Sequence, residues 1–176
     1  MKRNMGVMIG IVCILISGKA WGSWEDTLKT YSCIEIEKFQ VDREDYSTKD
    51  RERAAAIPDE TLSSLQHKIV GELSRQSVLP KITKANENPC TGKSLAFGGK
   101  IVDYKKGNRA ARILIGFGAG KQKFEVESYL KDKQSGESLA TKKIIDRKVG
   151  GLAGGDEAKG EYDFAEKVAQ FVKMGK

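Results

Sequence analysis

The N-terminal segment constrains this chain most, because its residues follow the order of a signal peptide. Lys2 and Arg3 form a charged start, and an almost unbroken apolar run covers residues 5–16. Small residues follow that run between Ser17 and Ser23. A charged start, an apolar run and then small residues is the order of a signal peptide. Lys19 interrupts the apolar sequence well before it reaches the roughly 20 residues that a spanning helix needs. We therefore predict a cleavable signal peptide.

Cleavage between Gly22 and Ser23 fits this segment best, because it puts small side chains, Ala20 and Gly22, at the two positions that the peptidase reads. Residues 1–22 are then the signal peptide, and residues 23–176 form a single globular domain. Cleavage after Ala20 and an uncleaved membrane anchor are the alternatives. The predicted location is the periplasm or the extracellular medium.

Three cysteines bear on the compartment. Cys13 lies inside the apolar run, directly after the bulky Val12, so it does not suit a lipidation site, and we predict that the protein is not a lipoprotein. Cys33 and Cys90 remain after processing. Because paired cysteines in an oxidising compartment are usually bridged, we predict a Cys33–Cys90 disulfide. Two separate buried thiols are the alternative.

Periodicity predicts two helices. The first begins near Pro58 and carries one apolar stripe at spacings of three, four and four residues: Leu62, Leu65, Ile69 and Leu73. The last begins after Asp156, and its predicted buried face is Ala158, Tyr162, Ala165, Ala169 and Val172. The charged stretch 42–53 is predicted to be a solvated loop.

Five segments have the apolar and alternating patterns of strands: 31–41, 94–104, 112–117, 121–131 and 137–148. Gly98 and Gly99 are expected to mark a bulge or a close approach of the backbone, and residues 134–136 a hairpin turn. The predicted fold class is α+β, in the order β-α-β-β-β-α. We expect a two-layer sandwich in which two helices pack on one face of an antiparallel sheet of about four to five strands.

No catalytic, cofactor or metal site is predicted. The glycines before Lys121 lack the spacing of a phosphate loop, since Ile115 and Gln122 stand where a glycine and a hydroxyl belong. His67, the single histidine, lies off the apolar stripe and is expected to be exposed. Glu125 and Glu127 are expected on the solvated face of a strand. The net charge of +7 falls to +4 without the signal peptide, and charges of both signs are mixed along the chain, which argues against a nucleic-acid partner.

The C-terminal half carries a more specific pattern. Gly-Asn-Arg-Ala-Ala-Arg at 107–112 leads into Ile-Gly-Phe-Gly-Ala-Gly at 115–120, and Gly-Gly-Leu-Ala-Gly-Gly-Asp follows at 150–156. The chain resembles a bacterial envelope family known as domain of unknown function 4410, over about residues 31–171. The resemblance implies an exported protein, and the missing lipidation site implies a soluble periplasmic form. It supplies no catalytic residues.

We expect a non-enzymatic envelope module that binds another protein or assembles with itself. The candidate interaction segment is apolar at its centre and basic at its flanks: Arg109, Arg112, Ile113, Ile115, Phe117 and Lys121. Such a segment, if exposed, suits a protein partner or an anionic membrane surface. Alternatively, Ile113 and Ile115 belong to the core. The alternative function is a small-ligand-binding protein or an enzyme whose pocket has no sequence signature.

Overall fold

A computed structural model describes residues 23–105, 123–147 and 157–176, with the backbone alone for 157–159. Its elements in chain order are α1 Trp24–Lys29, β1 Cys33–Ile36, α2 Lys49–Ala55, α3 Asp59–Arg75, β2 Lys81–Lys84, β3 Ser94–Lys105, β4 Lys123–Asp132, β5 Ser138–Arg147 and α4 Glu157–Met174. The predicted signal peptide, the interaction segment, the strand at 112–117 and the cap at Asp156 lie outside the described residues.

The strands form one sheet in the order β2-β1-β3-β4-β5. β3, β4 and β5 are antiparallel, as predicted, and Gly136 takes a φ of 74° in the hairpin turn between β4 and β5. β1, however, is parallel to both β2 and β3, so the sheet is mixed and the prediction of a purely antiparallel sheet was wrong. Because the chain returns to the same end of the sheet before β2 and again before β3, both strands run in the direction of β1.

The core lies between one face of the sheet and helices α3 and α4. The predicted stripe of α3 is fully confirmed, since Leu62, Leu65, Ile69 and Leu73 are all buried. Aromatic rings from three elements meet above the sheet: Phe97 of β3, Phe124 of β4, and Phe164 and Phe171 of α4. Edge-to-face and tilted ring packing of this kind stabilises a core beyond simple burial. The predicted α+β class holds, and α3 and α4 pack on one face of the sheet. The predicted order β-α-β-β-β-α was wrong, because the short elements α1, α2 and β2 have no strong periodicity in the sequence.

Three local predictions were wrong. Residues 49–55 form α2 rather than a loop, because the hydroxyl of Thr48 accepts a hydrogen bond from the amide of Arg51 and caps the helix. Tyr162 is 58% exposed, although the rest of the described predicted face of α4, Ala165, Ala169 and Val172, is buried as expected together with Phe164, Val168 and Phe171. The expected long strand at 31–41 ends at Ile36, although Gln40 pairs again with Lys100.

The connection between β2 and β3 crosses the sheet face opposite the helices. Cys90 of this connection forms a disulfide with Cys33 of β1, and the two Cα atoms are 5.9 Å apart. The predicted disulfide is therefore confirmed. The Cys90 amide also donates to Glu35 Oε1 at 2.8 Å. Two bonds thus hold the crossing segment against β1.

Candidate functional site

A groove with an apolar floor lies between α1, the end of α3 and the edge strand β2. Its volume is about 660 Å³, which is in the range of small-ligand and peptide sites. The lining residues come from three neighbouring parts of the chain: Glu25, Leu28, Lys29, Tyr31, Ser74, Ser77, Val78, Leu79, Pro80 and Ile82. Leu28 and Leu79 are buried, whereas Glu25 and Lys29 form an exposed ion pair of 2.8 Å beside them.

Helix α1 forms one wall of the groove because its first turn is fixed at two points. Ser23 caps the helix by accepting a hydrogen bond from the Asp26 amide. Trp24 Nε1 donates to the carbonyl oxygen of Val172 at 2.9 Å, and the indole lies against Gly175. These contacts hold α1 on the end of α4 and direct Leu28 towards the groove.

The end of α3 forms the opposite wall through a Schellman motif. Ser77 takes the left-handed conformation, with a φ of 49°, and its amide bonds the Ser74 carbonyl. The next amide, that of Val78, bonds the Leu73 carbonyl at 3.2 Å. This motif stops the helix and turns Val78 into the groove.

Tyr31 closes the groove at the sheet. Its ring is buried, and its hydroxyl donates to Asp132 Oδ2 at 2.9 Å. Burial and then this hydrogen bond raise the pKa of Tyr31 to about 12. Tyr31 is therefore neutral at physiological pH and acts as a fixed wall rather than as an acid or base.

The sheet face opposite the helices carries buried charges. Asp103 is fully buried and is held by Arg53 Nε at 2.9 Å and by Lys123 Nζ at 2.6 Å. Glu125, which is 7% exposed, bonds both Lys123 and Lys143. Burial alone would raise the pKa of Glu125, but the two lysines outweigh it and hold that pKa below its ordinary value. The expectation that Glu125 is solvated was wrong, whereas Glu127 is exposed as expected.

The same face contains a second network above β1. Lys133 Nζ lies 2.6 Å from Glu35 Oε1, the oxygen that also accepts from the Cys90 amide. Burial opposes ionisation of Glu35, but Lys133 and then the Cys90 amide lower its pKa below the ordinary value. Next to this pair, the Tyr129 hydroxyl donates to Glu37 Oε2 across Gly98.

Every buried carboxylate among the described residues has a partner within the fold: Glu35, Asp103, Glu125, Asp132, Asp146 and Glu161. His67 is exposed, as predicted. Within the described ranges, no cluster of His, Cys, Asp or Glu could hold a metal ion, and no helix is long and apolar enough to span a membrane. Most of the buried carboxylates bind groups in or beside the sheet, whereas Glu161 of α4 binds Ser64 and Lys68 of α3.

Sequence reasoning missed the groove, because its walls are a six-residue helix, a helix end and a four-residue strand. The Ser23-x-x-Asp26 pattern is a helix start signal that could have located α1. No sequence signal shows that α1 and β2 are adjacent, since the docking of α1 on the distant residue Val172 places it there.

The fold and the groove define an α+β domain with a mixed five-stranded sheet, two helices on one face and a disulfide-pinned crossing on the other. The chain belongs to the family described as a domain of unknown function, DUF4410, whose sequence model matches residues 34–154. The family resemblance inferred from the sequence is thereby confirmed.

Solved structures resemble this chain at low sequence identity, and a PelC structure shares its fold. A PelC dodecamer from Paraburkholderia phytofirmans matches with a TM-score of 0.52 and 12% identity, over 82% of this chain and 89% of that chain. A point variant of the same dodecamer matches with a TM-score of 0.52 and 14% identity, over 82% and 88%. The protein XCC0632 from Xanthomonas campestris matches with a TM-score of 0.44 and 10% identity, over 82% and 80%. No curated protein matches the chain.

Proposed function

We propose that the chain from Ser23 onward is an exported, non-enzymatic module of the bacterial cell envelope that assembles with copies of itself. The observation that carries this proposal is the fold shared with PelC, whose solved structures are dodecamers. The N-terminal order of charged, apolar and small residues supports export. The Cys33–Cys90 disulfide supports a periplasmic or extracellular location, because such bonds persist in oxidising compartments.

The state of the buried acids supports a structural role. A general acid or base needs a carboxyl group that reaches a substrate with a pKa near the working pH. Glu35 and Glu125 instead have lowered pKa values, because Lys133, just after β4, binds Glu35 and the strand residues Lys123 and Lys143 bind Glu125. The fold favours the ionised form of these carboxylates, and their ion pairs stabilise the domain. They are therefore poorly suited to proton transfer.

The proposed contact segment is residues 109–121, which are rich in apolar and basic side chains and contain no acidic residue. The side chains that we expect to make the contact are Arg109, Arg112, Ile113, Ile115, Phe117 and Lys121. An apolar patch of this kind rimmed by charge is typical of protein–protein contacts.

The mass of the protein in solution tests the proposal. Protein comprising residues 23–176, purified from the periplasm, should elute in size-exclusion chromatography with light scattering at a multiple of the monomer mass. The multiple should fall on dilution by mass action. A monomer at every concentration up to the millimolar range would overturn the assembly proposal, and an unprocessed cytoplasmic protein would overturn the export proposal.

The groove favours a second candidate, a small-ligand-binding protein. Its volume suits a small molecule, and Leu28, Val78 and Ile82 would supply an apolar surface with Tyr31 beside them. Native mass spectrometry of freshly purified protein tests this candidate. A bound small molecule in 1:1 ratio, lost when Ser74 is replaced by Trp, would favour it over self-assembly.

A further inference from the structure

We propose that the Cys33–Cys90 disulfide is an exchangeable latch, which a thiol–disulfide oxidoreductase opens by attacking Cys90. The latch holds the crossing segment, residues 85–93 between β2 and β3, on β1. Opening it frees residues 86–92 while the rest of the fold stays in place. This exchange goes beyond the proposed function and is independent of self-assembly.

The two cysteines of the latch differ in access to solvent. Cys33 of β1 is 1% exposed, whereas Cys90 is half-buried and lies between the exposed residues Pro89 and Thr91. A thiolate must touch the sulfur that it attacks, so access decides which sulfur forms the new bond. An incoming thiolate therefore reaches Cys90, and Cys33 is the sulfur that leaves.

A lysine lies beside the sulfur that leaves. Lys81 of β2 is directly opposite Cys33 in the parallel register of β1 and β2, so both side chains are on the same face of the sheet. The Lys81 ammonium donates to the carbonyl oxygen of Pro89, the neighbour of Cys90, at 3.1 Å. An ammonium group stabilises a nearby thiolate, and a more stable thiolate is displaced faster from a disulfide.

Few other bonds hold residues 88–92 on the domain. Among the described residues, three hydrogen bonds do so, and their side-chain partners are Glu35, Lys81 and Gln134. Lys81 and Gln134 are exposed, so their bonds compete with water. None of residues 86–92 belongs to the hydrophobic core that the structure describes. A segment with so few buried apolar contacts opens locally at low cost once its covalent bond is broken.

Both ends of the crossing segment stay anchored in the sheet. The Ala85 amide donates to the Ile36 carbonyl at 2.9 Å, and the Ser32 amide donates to the Lys93 carbonyl at 3.1 Å. Ile36 itself is fully buried in the core. Opening the latch therefore frees a loop and leaves β1, β2 and β3 paired.

The freed loop uncovers a polar part of the sheet. The side chains of Cys33, Glu35 and Thr83 are buried on the face opposite α3 and α4. When the Cys90 amide leaves Glu35, Lys133 is the partner that this carboxylate keeps among the described residues. The reduced protein therefore presents a thiol, a carboxylate and a hydroxyl that the oxidised protein hides.

The exchange takes two balanced steps. A thiolate of the partner attacks Cys90 Sγ, the bond to Cys33 breaks, and its electron pair stays on Cys33 Sγ. A second cysteine of the partner then attacks the partner's own sulfur in the mixed disulfide and releases Cys90 as a thiolate. The partner is oxidised by two electrons to its disulfide, and Cys33 and Cys90 end as thiols after taking up two protons.

A trapping experiment tests the site of attack. The oxidised protein, residues 23–176, is mixed with a reduced dithiol oxidoreductase whose second cysteine is replaced by Ser, so that the mixed disulfide persists, and the reaction is stopped with iodoacetamide. Peptide mass spectrometry should find the oxidoreductase joined to Cys90 and an alkylated Cys33. A partner joined to Cys33 instead, or the absence of any mixed disulfide, overturns the inference.

Lys81→Gln tests the contribution of the ammonium group, because Gln keeps an N–H donor but carries no charge. The rate of reduction by dithiothreitol should fall about threefold or more. Lys142→Gln is the matched control, since it removes the same charge from β5, the opposite edge strand, and should leave the rate unchanged. An unchanged rate in Lys81→Gln, or an equal fall in both variants, overturns the role of Lys81.

Hydrogen exchange tests whether the fold survives the opening. In dithiothreitol, the Cys90 amide should exchange at least about tenfold faster than in the oxidised protein, while the Ile69 amide in the buried stripe of α3 remains protected. The reduced protein should also melt cooperatively. Loss of the cooperative melt on reduction would make the disulfide a requirement of the whole fold, and it overturns the latch. An unchanged exchange rate at Cys90 overturns it as well.

Discussion

Replacing Gly98 with Ala should break the hydrogen bond between Tyr129 and Glu37. A Cβ atom added at Gly98 would lie 2.6 Å from the Tyr129 hydroxyl oxygen and 2.7 Å from Glu37 Oε2. Real Cβ atoms do not approach oxygen so closely, so the two side chains must separate. Both atoms are the ends of flexible side chains, and we therefore expect the bond to be lost while the backbone of β3 stays in place.

The expected change in the free energy of unfolding follows from two opposing contributions. Loss of a hydrogen bond to a charged carboxylate costs about 1.5–3 kcal/mol. The change from Gly to Ala within a strand returns about 0.5–1 kcal/mol of backbone entropy. We expect the free energy of unfolding to fall by about 1–2 kcal/mol, which lowers the melting temperature by about 3–6 °C for a domain of this size.

The Tyr129 pKa is the specific measurement. Burial and then the bond to Glu37 raise the pKa of Tyr129 to about 12, whereas an unfolded tyrosine titrates near 10. The contribution of this residue to stability is therefore fully present below about pH 10 and is lost as the pH rises through 12. In Gly98→Ala, ultraviolet titration of tyrosinate should show the Tyr129 pKa lowered towards the ordinary value.

Two controls separate this mechanism from general damage. Gly99→Ala, on the opposite face, would place a Cβ atom 2.5 Å from the Glu127 carbonyl oxygen, so it should destabilise the sheet without lowering the Tyr129 pKa. In Tyr129→Phe, the added effect of Gly98→Ala should be smaller than in the wild type. An unchanged tyrosine titration in Gly98→Ala, or strict additivity of the two substitutions, would refute the reasoning.

Three further predictions concern the disulfide and the chain ends. Replacing both Cys33 and Cys90 with Ala should lower the free energy of unfolding by about 4 kcal/mol, because the bond closes a loop with a sequence separation of 57. Urea denaturation measures the free energy of unfolding, and a loss below about 1 kcal/mol would contradict this prediction. Gly175→Ala should lower the free energy of unfolding by about 1–3 kcal/mol, because Gly175 has a φ of 66° and an added Cβ atom would lie 2.7 Å from Trp24 Cγ. An unchanged melting temperature would disprove this prediction. N-terminal sequencing of periplasmic protein should begin at Ser23, and an intact signal segment would disprove that.

The sequence predicted α3 and the β4–β5 hairpin correctly, because interactions between residues close in the chain determine both. The stripe of α3 and the β4–β5 hairpin are short-range features, in which periodicity and turn chemistry agree with the final packing. The disulfide was predictable because removal of Cys13 with the predicted signal peptide would leave Cys33 one partner. Each of these inferences needed no knowledge of distant contacts.

Long-range packing determined what the sequence did not reveal. β2 has four residues, Lys81–Lys84, of which Thr83 is buried, so neither alternation nor hydrophobicity indicates a strand. Its parallel pairing with β1 depends on the path of α3 across the sheet. The alternating pattern of the strand predicts that Glu125 faces solvent, but Lys123 and Lys143 hold it in a network with Asp103. Arg53 of α2, a segment that had been interpreted as a loop, also binds Asp103.

The segment that crosses β1 also changes the order in which the sheet can form. β1 lies between two strands that come later in the chain, and its pairing of Cys33 with Ser94 spans more than sixty residues in the reduced chain. Closing so long a loop is slow, because the entropy is lost before the contacts form. Once Cys33 is joined to Cys90, its strand partner is four residues from the bond. Oxidation therefore converts the most distant pairing in the sheet into a nearly local one, and an oxidised unfolded chain already holds the first strand beside its neighbour.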